Sequence, residues 1–251
     1  MVDVEIIEMY IPNSPSTLIY IPGITSSLTQ PELYSTLHQT FSKFGLLYQV
    51  SVKNVDSEYY TYIRYYSARA ASRARAAALR GEIAIKDSGP VRVTGLSRSG
   101  FPNVPLSRYK CEELANFYLG FSGWRSKVLY HRKEESDPLM VKYVSVVSLE
   151  FPRDSVSCEG AGLCEQPLAS AEEEGDSYID IITKTAKRSL GEAFLAAWGK
   201  VLLIVVEGSK VQVQINTTKE DQFLYNPVWD EPVVSVSEVE YTQDAENEDE
   251  V

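Results

Sequence analysis

The sequence predicts an α+β protein of two modules followed by an acidic tail, and three observations carry that expectation. Two tyrosine-bearing segments, Ile19-Tyr20-Ile21 and Tyr60-Thr61-Tyr62-Ile63-Arg64-Tyr65, alternate with the period of 2 that strands require. Around them, apolar residues recur at three- and four-residue intervals, as on helices packed by one face. A Gly- and Pro-bearing stretch, residues 99–106, then separates these signals from a second run of helix and strand patterns.

The first module, residues 17–98, reads as βαββαβ. Thr17 to Ile24 is its first strand. Thr29 and Glu32 have capping-box spacing, and Leu33, Leu37, Phe41 and Phe44 follow at helical intervals until Gly45 stops the helix. Leu47 to Lys53 alternates as a strand, and the tyrosine-rich strand follows. Ser67 caps an alanine-rich helix ending at Leu79, with Ala71, Ala74 and Ala78 as a narrow packing face and Arg69, Arg73 and Arg80 elsewhere on its surface. Gly89-Pro90 introduces a last strand, Val91 to Leu96. Two helices behind a four-stranded antiparallel sheet leave the other face of that sheet open. Alternation puts Tyr20, Tyr60 and Tyr62 on the open face and Ile19, Ile21, Ile63 and Tyr65 on the core face.

The second module, residues 107–219, starts with a helix from Ser107 to Leu119 that packs through Cys111, Leu114, Ala115 and Tyr118 and ends at Gly120. Strands follow at Trp124 to His131, at Met140 to Phe151 and near Val156, with Arg132 to Asp137 as a turn. Residues 168–177, with Glu172, Glu173, Glu174 and Asp176, read as an acidic loop. A long helix with Ile182, Ala186, Leu190, Ala193, Phe194 and Ala197 in register comes next, and Val201 to Val206 and Val211 to Ile215 flank Gly208-Ser209 as a hairpin. Residues 226–251 have little to pack and are expected to be disordered.

Composition narrows the function. A chain of 251 residues with 44% hydrophobic content can bury a core in each module. Its apolar runs fall short of the ~20 residues of a membrane helix, and Asp3, Glu5 and Glu8 are unlike the start of a secretory signal, so a soluble intracellular protein is expected. Cys111, Cys158 and Cys164 form no C-x-x-C pair and suggest neither a disulfide framework nor a zinc site. Of the net charge of -11, the segment from Glu220 to Val251 supplies eleven acidic and no basic residues, which leaves 24 of each sign elsewhere. Residues 17–100 hold ten Lys or Arg against five Asp or Glu, so basic character coincides with the open tyrosine face. Aromatics on the polar face of a sheet suit a flat partner, and nucleic-acid bases are the obvious one. The alternative is a partner protein, or packing beneath the second module.

The strand, helix and tyrosine arrangement resembles an RNA-recognition motif. Tyr20 takes the aromatic second place of that family's short motif in Ile19-Tyr20-Ile21-Pro22-Gly23-Ile24. Tyr60 and Tyr62 take the third and fifth places of the long motif in Glu58-Tyr59-Tyr60-Thr61-Tyr62-Ile63-Arg64-Tyr65. The family has Lys or Arg where Glu58 stands and Gly at Tyr59, so Lys53, Arg64 and Arg92 become the candidates for neutralising phosphate.

The second module resembles the Rad52 family of single-strand annealing proteins, in which a helix ends in Phe-Gly-aromatic-Asn-Gly-Trp. Leu119-Gly120-Phe121-Ser122-Gly123-Trp124 occupies that hexamer, with Trp124 expected in the core and Phe121 either stacking on a base or packed. Glu159-Gly160-Ala161-Gly162-Leu163-Cys164-Glu165 and the helix from Lys184 to Trp198 continue the resemblance. The late helix reads Leu195-Ala196-Ala197-Trp198-Gly199 where annealing proteins carry basic residues, so Lys110, with Lys184, Lys187, Arg188 and Lys200, is left to hold a strand. The order of the two modules is that of a family joining an RNA-recognition motif to a Rad52-type motif. That resemblance implies binding of single-stranded DNA and RNA, with double-stranded DNA and a second copy of the chain as further candidate partners. It also implies a role in the response to DNA damage such as cisplatin lesions, and presence in nucleus, nucleolus and cytoplasm.

No catalytic residue, metal or cofactor is expected. His38 and His131 have no sequence partner suggestive of a triad, and no Gly-rich phosphate loop is present. Arg69, Arg73, Arg75 and Arg80 read equally as a helix surface and as a phosphate track. The rival function is an interaction module, in which the first module holds a protein and the second self-associates.

Overall fold

The computed structural model describes residues 4–55, 58–85, 89–93, 103–134, 139–168, 177–206 and 210–219. The expected 226–251 tail, the Gly208-Ser209 turn and nearly all of the acidic loop lie outside them.

The first unit contains β2 (Leu18–Ile24), α1 (Gln30–Phe41), β3 (Leu47–Val55), β4 (Glu58–Tyr65) and α2 (Ala68–Leu79), preceded in the chain by β1 (Val4–Glu8). The capping box forms, with Thr29 N donating to Glu32 Oε2 at 2.8 Å. The three strands make an antiparallel sheet in the order β2-β4-β3. Ile19, Ile21, Ile63 and Tyr65 are buried beneath Leu33, Leu37 and Phe41 of α1 and the alanine face of α2. Gly45, in the turn after α1, lets α2 approach closely, because a Cβ there would lie 2.6 Å from that of Ala70.

The expected fourth strand is absent from this sheet among the described residues. Ala84–Ile85 (β5) and Gly89–Pro90 (β6) instead pair as a short separate hairpin, Val91 to Val93 are not strand, and 94–96 lie outside the described residues. Pro90 has no N–H to offer a ladder. Ile83, Ile85 and Val91 are buried in the core, with Val91 N bonded to Ile83 O at 3.1 Å.

The second unit contains α3 (Arg108–Leu119), β7 (Arg125–Glu134), β8 (Met140–Phe151), β9 (Val156–Pro167), α4 (Tyr178–Gly199), β10 (Val201–Val206) and β11 (Lys210–Ile215). Strands β7-β8-β9 form one antiparallel sheet, and β1-β10-β11 a second. Strand β1 lies before the boundary drawn at Thr17, yet it pairs with β10 from Val4↔Val206 to Glu8↔Leu202. The segment 103–106 is likewise no loose linker: Leu106 is buried, and its N–H bonds to Met9 O at 3.1 Å.

Helix α4 lies unusually close on β9. A Cβ at Gly162 would stand 2.1 Å from Ser189 O, and one at Gly160 would stand 2.2 Å from Ala197 N. That approach selects small residues such as Ser189, Ala193 and Ala197; the expected Ala193, Phe194 and Ala197 are buried, whereas in the first half of α4 Ile181, Thr185 and Ser189 are buried and the expected Ile182, Ala186 and Leu190 only partly so. The buried hydroxyls are satisfied, Ser189 Oγ donating to Gly162 O at 2.9 Å and Thr185 Oγ1 to Ile181 O at 2.7 Å. Trp198 fills the core between Trp124 and Phe151, with edge-on ring contacts at 5.0 and 6.3 Å.

The two units are fastened at α2. Glu5 of β1 accepts from Ser67 Oγ at 2.6 Å and Ala68 N at 2.6 Å, taking up a helix N-terminus. In the next residue, Arg69 Nη1 donates to Val205 O at 3.3 Å.

Candidate nucleic-acid interface

Strand register builds the outer face of the first sheet row by row. Tyr62 of β4 stands between Tyr20 of β2 and Ser51 of β3; Arg64 stands between Leu18 and Gln49; Tyr60 lies opposite Lys53. All these side chains point away from the buried row, as period 2 requires. Tyr20 and Tyr62 have ring centroids 4.8 Å apart with planes inclined by 30°, and Tyr20, Tyr60 and Tyr62 are each only partly buried. Rings so placed present flat area at low entropic cost, because paired strands fix their roots.

Charge on this face is mixed. Lys53 is exposed beside Tyr60, whereas the Tyr60 hydroxyl donates to Glu58 Oε2 at 3.2 Å. Glu58 Oε2 would also lie 3.3 Å from a Cβ at Gly23, whose φ of +60° suits glycine. Tyr59, one residue from the motif positions, points inward and donates to Leu28 O at 3.3 Å.

Lys53 and Arg64 therefore join the tyrosines, and two other candidates lie outside the strands of this sheet. Arg92 is exposed in the non-strand segment after β6. Lys110 is on α3, paired with Glu113 at 2.7 Å. Arg75 of α2 acts as a strut, donating to the carbonyls of Pro15, Ser16 and Leu18; Arg73 donates to Phe44 O, and Arg80, just past the helix, pairs with Glu82 at the surface. Leu18, Gln49 and Ser51, which the sequence reading did not select, complete the face; the β2-β4-β3 register, rather than a motif, identifies them.

In the second unit, Gly120 adopts φ +80° at the end of α3. Trp124 Nε1 donates to Asn116 Oδ1 at 2.8 Å, while Phe121 is 91% exposed, which excludes its core reading. His131 Nδ1 meets Ser145 Oγ at 2.8 Å, and that oxygen meets Ser189 Oγ at 2.7 Å. Ser145 is fully buried, so this chain of hydroxyls braces α4 against the sheet. Among the described residues no group of three His, Cys, Asp or Glu is placed to hold a metal ion.

The family model described as "RDM1 DSRM domain" matches residues 106–202, the span from α3 through β7, β8, β9 and α4. It covers the second unit from α3 to α4 and leaves the first unit, β11 and most of β10 outside. RAD52 motif-containing protein 1 of Gallus gallus is 31% identical over 233 residues, covering 86% of this chain and 82% of its own length. The Danio rerio protein of that name is 27% identical over 260 residues, with 96% and 91% covered, and the Homo sapiens one is 27% identical over 234 residues, with 86% and 82% covered.

Proposed function

The chain belongs to the family of RAD52 motif-containing protein 1, and on that premise we propose that it is a non-enzymatic nucleic-acid-binding protein of DNA repair. Its first unit takes single-stranded DNA and RNA on the tyrosine face in the manner of an RNA-recognition motif. The observation that carries this reading is the row Tyr20, Tyr62 and Ser51 with Tyr60 and Lys53 beside it, a flat aromatic platform next to a cation. Stacking contributes ~1–3 kcal/mol per base, and Lys53 and Arg64 neutralise phosphate. Glu58 works against them, so affinity is moderate and depends on stacking more than charge. The match of the second unit to a family model described as a DSRM domain supports further contact with nucleic acid there. A role after cisplatin-type damage, and a distribution over nucleus, nucleolus and cytoplasm, belong to the same proposal and rest on family membership.

Photocrosslinking tests it. A single strand carrying bromodeoxyuridine should crosslink chiefly to peptides containing Tyr20, Tyr60 or Tyr62; crosslinks confined to the second unit would overturn the assignment.

A second reading, self-association through the α3–β7 turn, is favoured by the exposure of Phe121. Light scattering on Phe121→Ser tests it: loss of a wild-type oligomer supports the reading, and an unchanged mass removes it.

A further inference from the structure

Helix α2 buries Ala70, Ala71, Ala74, Ala77 and Ala78 against the first core, which turns Arg69 and Arg73, one turn apart, toward the junction with the second unit. There they line a cleft of about 750 Å3 together with Lys43, Phe44, Phe117 and Tyr118. Arg69 Nη1 is held by Val205 O at 3.3 Å and Arg73 Nη2 by Phe44 O at 2.7 Å, so both guanidinium planes are fixed in place. The facing wall is the end of α3, where Phe117 is 51% exposed and packs edge-on to Tyr118 at 5.0 Å. Glu5 is the one carboxylate lining the cleft among the described residues, and its oxygens are taken by Ser67 Oγ and Ala68 N. Three cations around an aromatic wall select a ligand that is anionic and carries a flat apolar body.

We propose that this cleft is a second binding site, which holds one nucleotide unit of a single strand, its phosphate toward Lys43, Arg69 and Arg73 and its base against Phe117. The size is that of a preformed small-molecule pocket, and base-on-aromatic stacking tolerates any base. The site lies on the helix side of the first unit, away from the tyrosine face, and shares no residue with it. It rests on the reading of the protein as a nucleic-acid binder for the source of the nucleotide alone. A free nucleotide offers the same chemistry, and the test separates the two.

The test titrates the full chain with a fluorescein-labelled oligothymidylate and with AMP, using wild type, Lys43→Glu with Phe117→Ala, and Tyr60→Ala with Tyr62→Ala. Both cleft positions are exposed or half-exposed; Lys43→Glu alone serves if the pair fails to fold by circular dichroism. The cleft variant should weaken oligonucleotide binding by about fivefold or more and flatten its salt dependence. Unchanged oligonucleotide and AMP binding in the cleft variant, with loss in the tyrosine variant, overturns the cleft and leaves the sheet reading standing. Loss in the cleft variant alone keeps the cleft and removes the sheet reading. AMP binding lost in the cleft variant while oligonucleotide binding persists keeps the site with a free nucleotide as occupant. If wild type binds neither probe, both assignments fall.

Discussion

Glu5 and Ser67 join the two units across 62 residues of chain: the carboxylate of β1 accepts the hydroxyl at 2.6 Å and the Ala68 N–H at 2.6 Å. The same Ser67 oxygen accepts from Ala70 N at 3.1 Å, so one serine caps α2 and carries its link to the other sheet. Replacing Glu5 by alanine should cost about 1.5–3 kcal/mol in urea unfolding, the range for hydrogen bonds to a charged group. An unchanged midpoint would show that the units are joined by other means.

Gly162→Ala should destabilise the second unit by about 3 kcal/mol or more, since its Cβ would meet Ser189 O at 2.1 Å, backbone that has nowhere to move. Differential scanning calorimetry reads this directly. A neutral substitution would mean that α4 does not lie against β9 as described.

Arg75→Ala separates a strut from a phosphate track. The side chain is bonded to the Pro15, Ser16 and Leu18 carbonyls, so its removal should lower the thermal midpoint while leaving the slope of log affinity against log salt unchanged. A slope reduced by about one would reassign Arg75 to phosphate contact.

Burial depresses the His131 pKa. A depressed histidine favours the neutral form in the folded state, so its contribution to stability is present above the unfolded value of ~6.5 and is lost as pH falls below it. Unfolding midpoints at pH 7.5 and 5.5 should therefore drop further for wild type than for His131→Asn. Equal drops would show that the link from His131 to Ser145 carries no proton dependence.

Burial pushes the Cys111 thiol up to about 12, and Cys158 and Cys164 are buried as well. Folded protein at pH 8 should give no rapid reaction with Ellman's reagent, and three thiols should appear on addition of denaturant. A fast-reacting thiol in the native state would contradict the packing.

Much of this architecture was legible in the sequence where local rules act alone. The capping box at Thr29 and Glu32, the alternation around Tyr20 and Tyr62 and the stop at Gly120 depend on neighbours in the chain. What escaped depends on distant pairing. Nothing in Val4-Glu5-Ile6-Ile7-Glu8 announces that its ladder partner begins at Leu202. The aliphatic periodicity of α4 points to Ile182 and Leu190, whereas proximity to Gly162 favours the small Ser189. On the candidate face, the motif picks out the three tyrosines, but only register brings Lys53 and Arg64 to them, while Arg92 and Lys110 are not on its strands.

The central claim is that the tyrosine face binds single strands by stacking. Its most direct test is fluorescence anisotropy with single-stranded DNA and RNA of equal sequence at two salt concentrations, comparing wild type with Tyr60→Ala/Tyr62→Ala. Loss of two stacking rings should weaken binding by about 2–6 kcal/mol, with far-ultraviolet circular dichroism unchanged and the salt slope preserved. Binding equal to wild type in the folded double variant would contradict the claim and move the interface off the sheet.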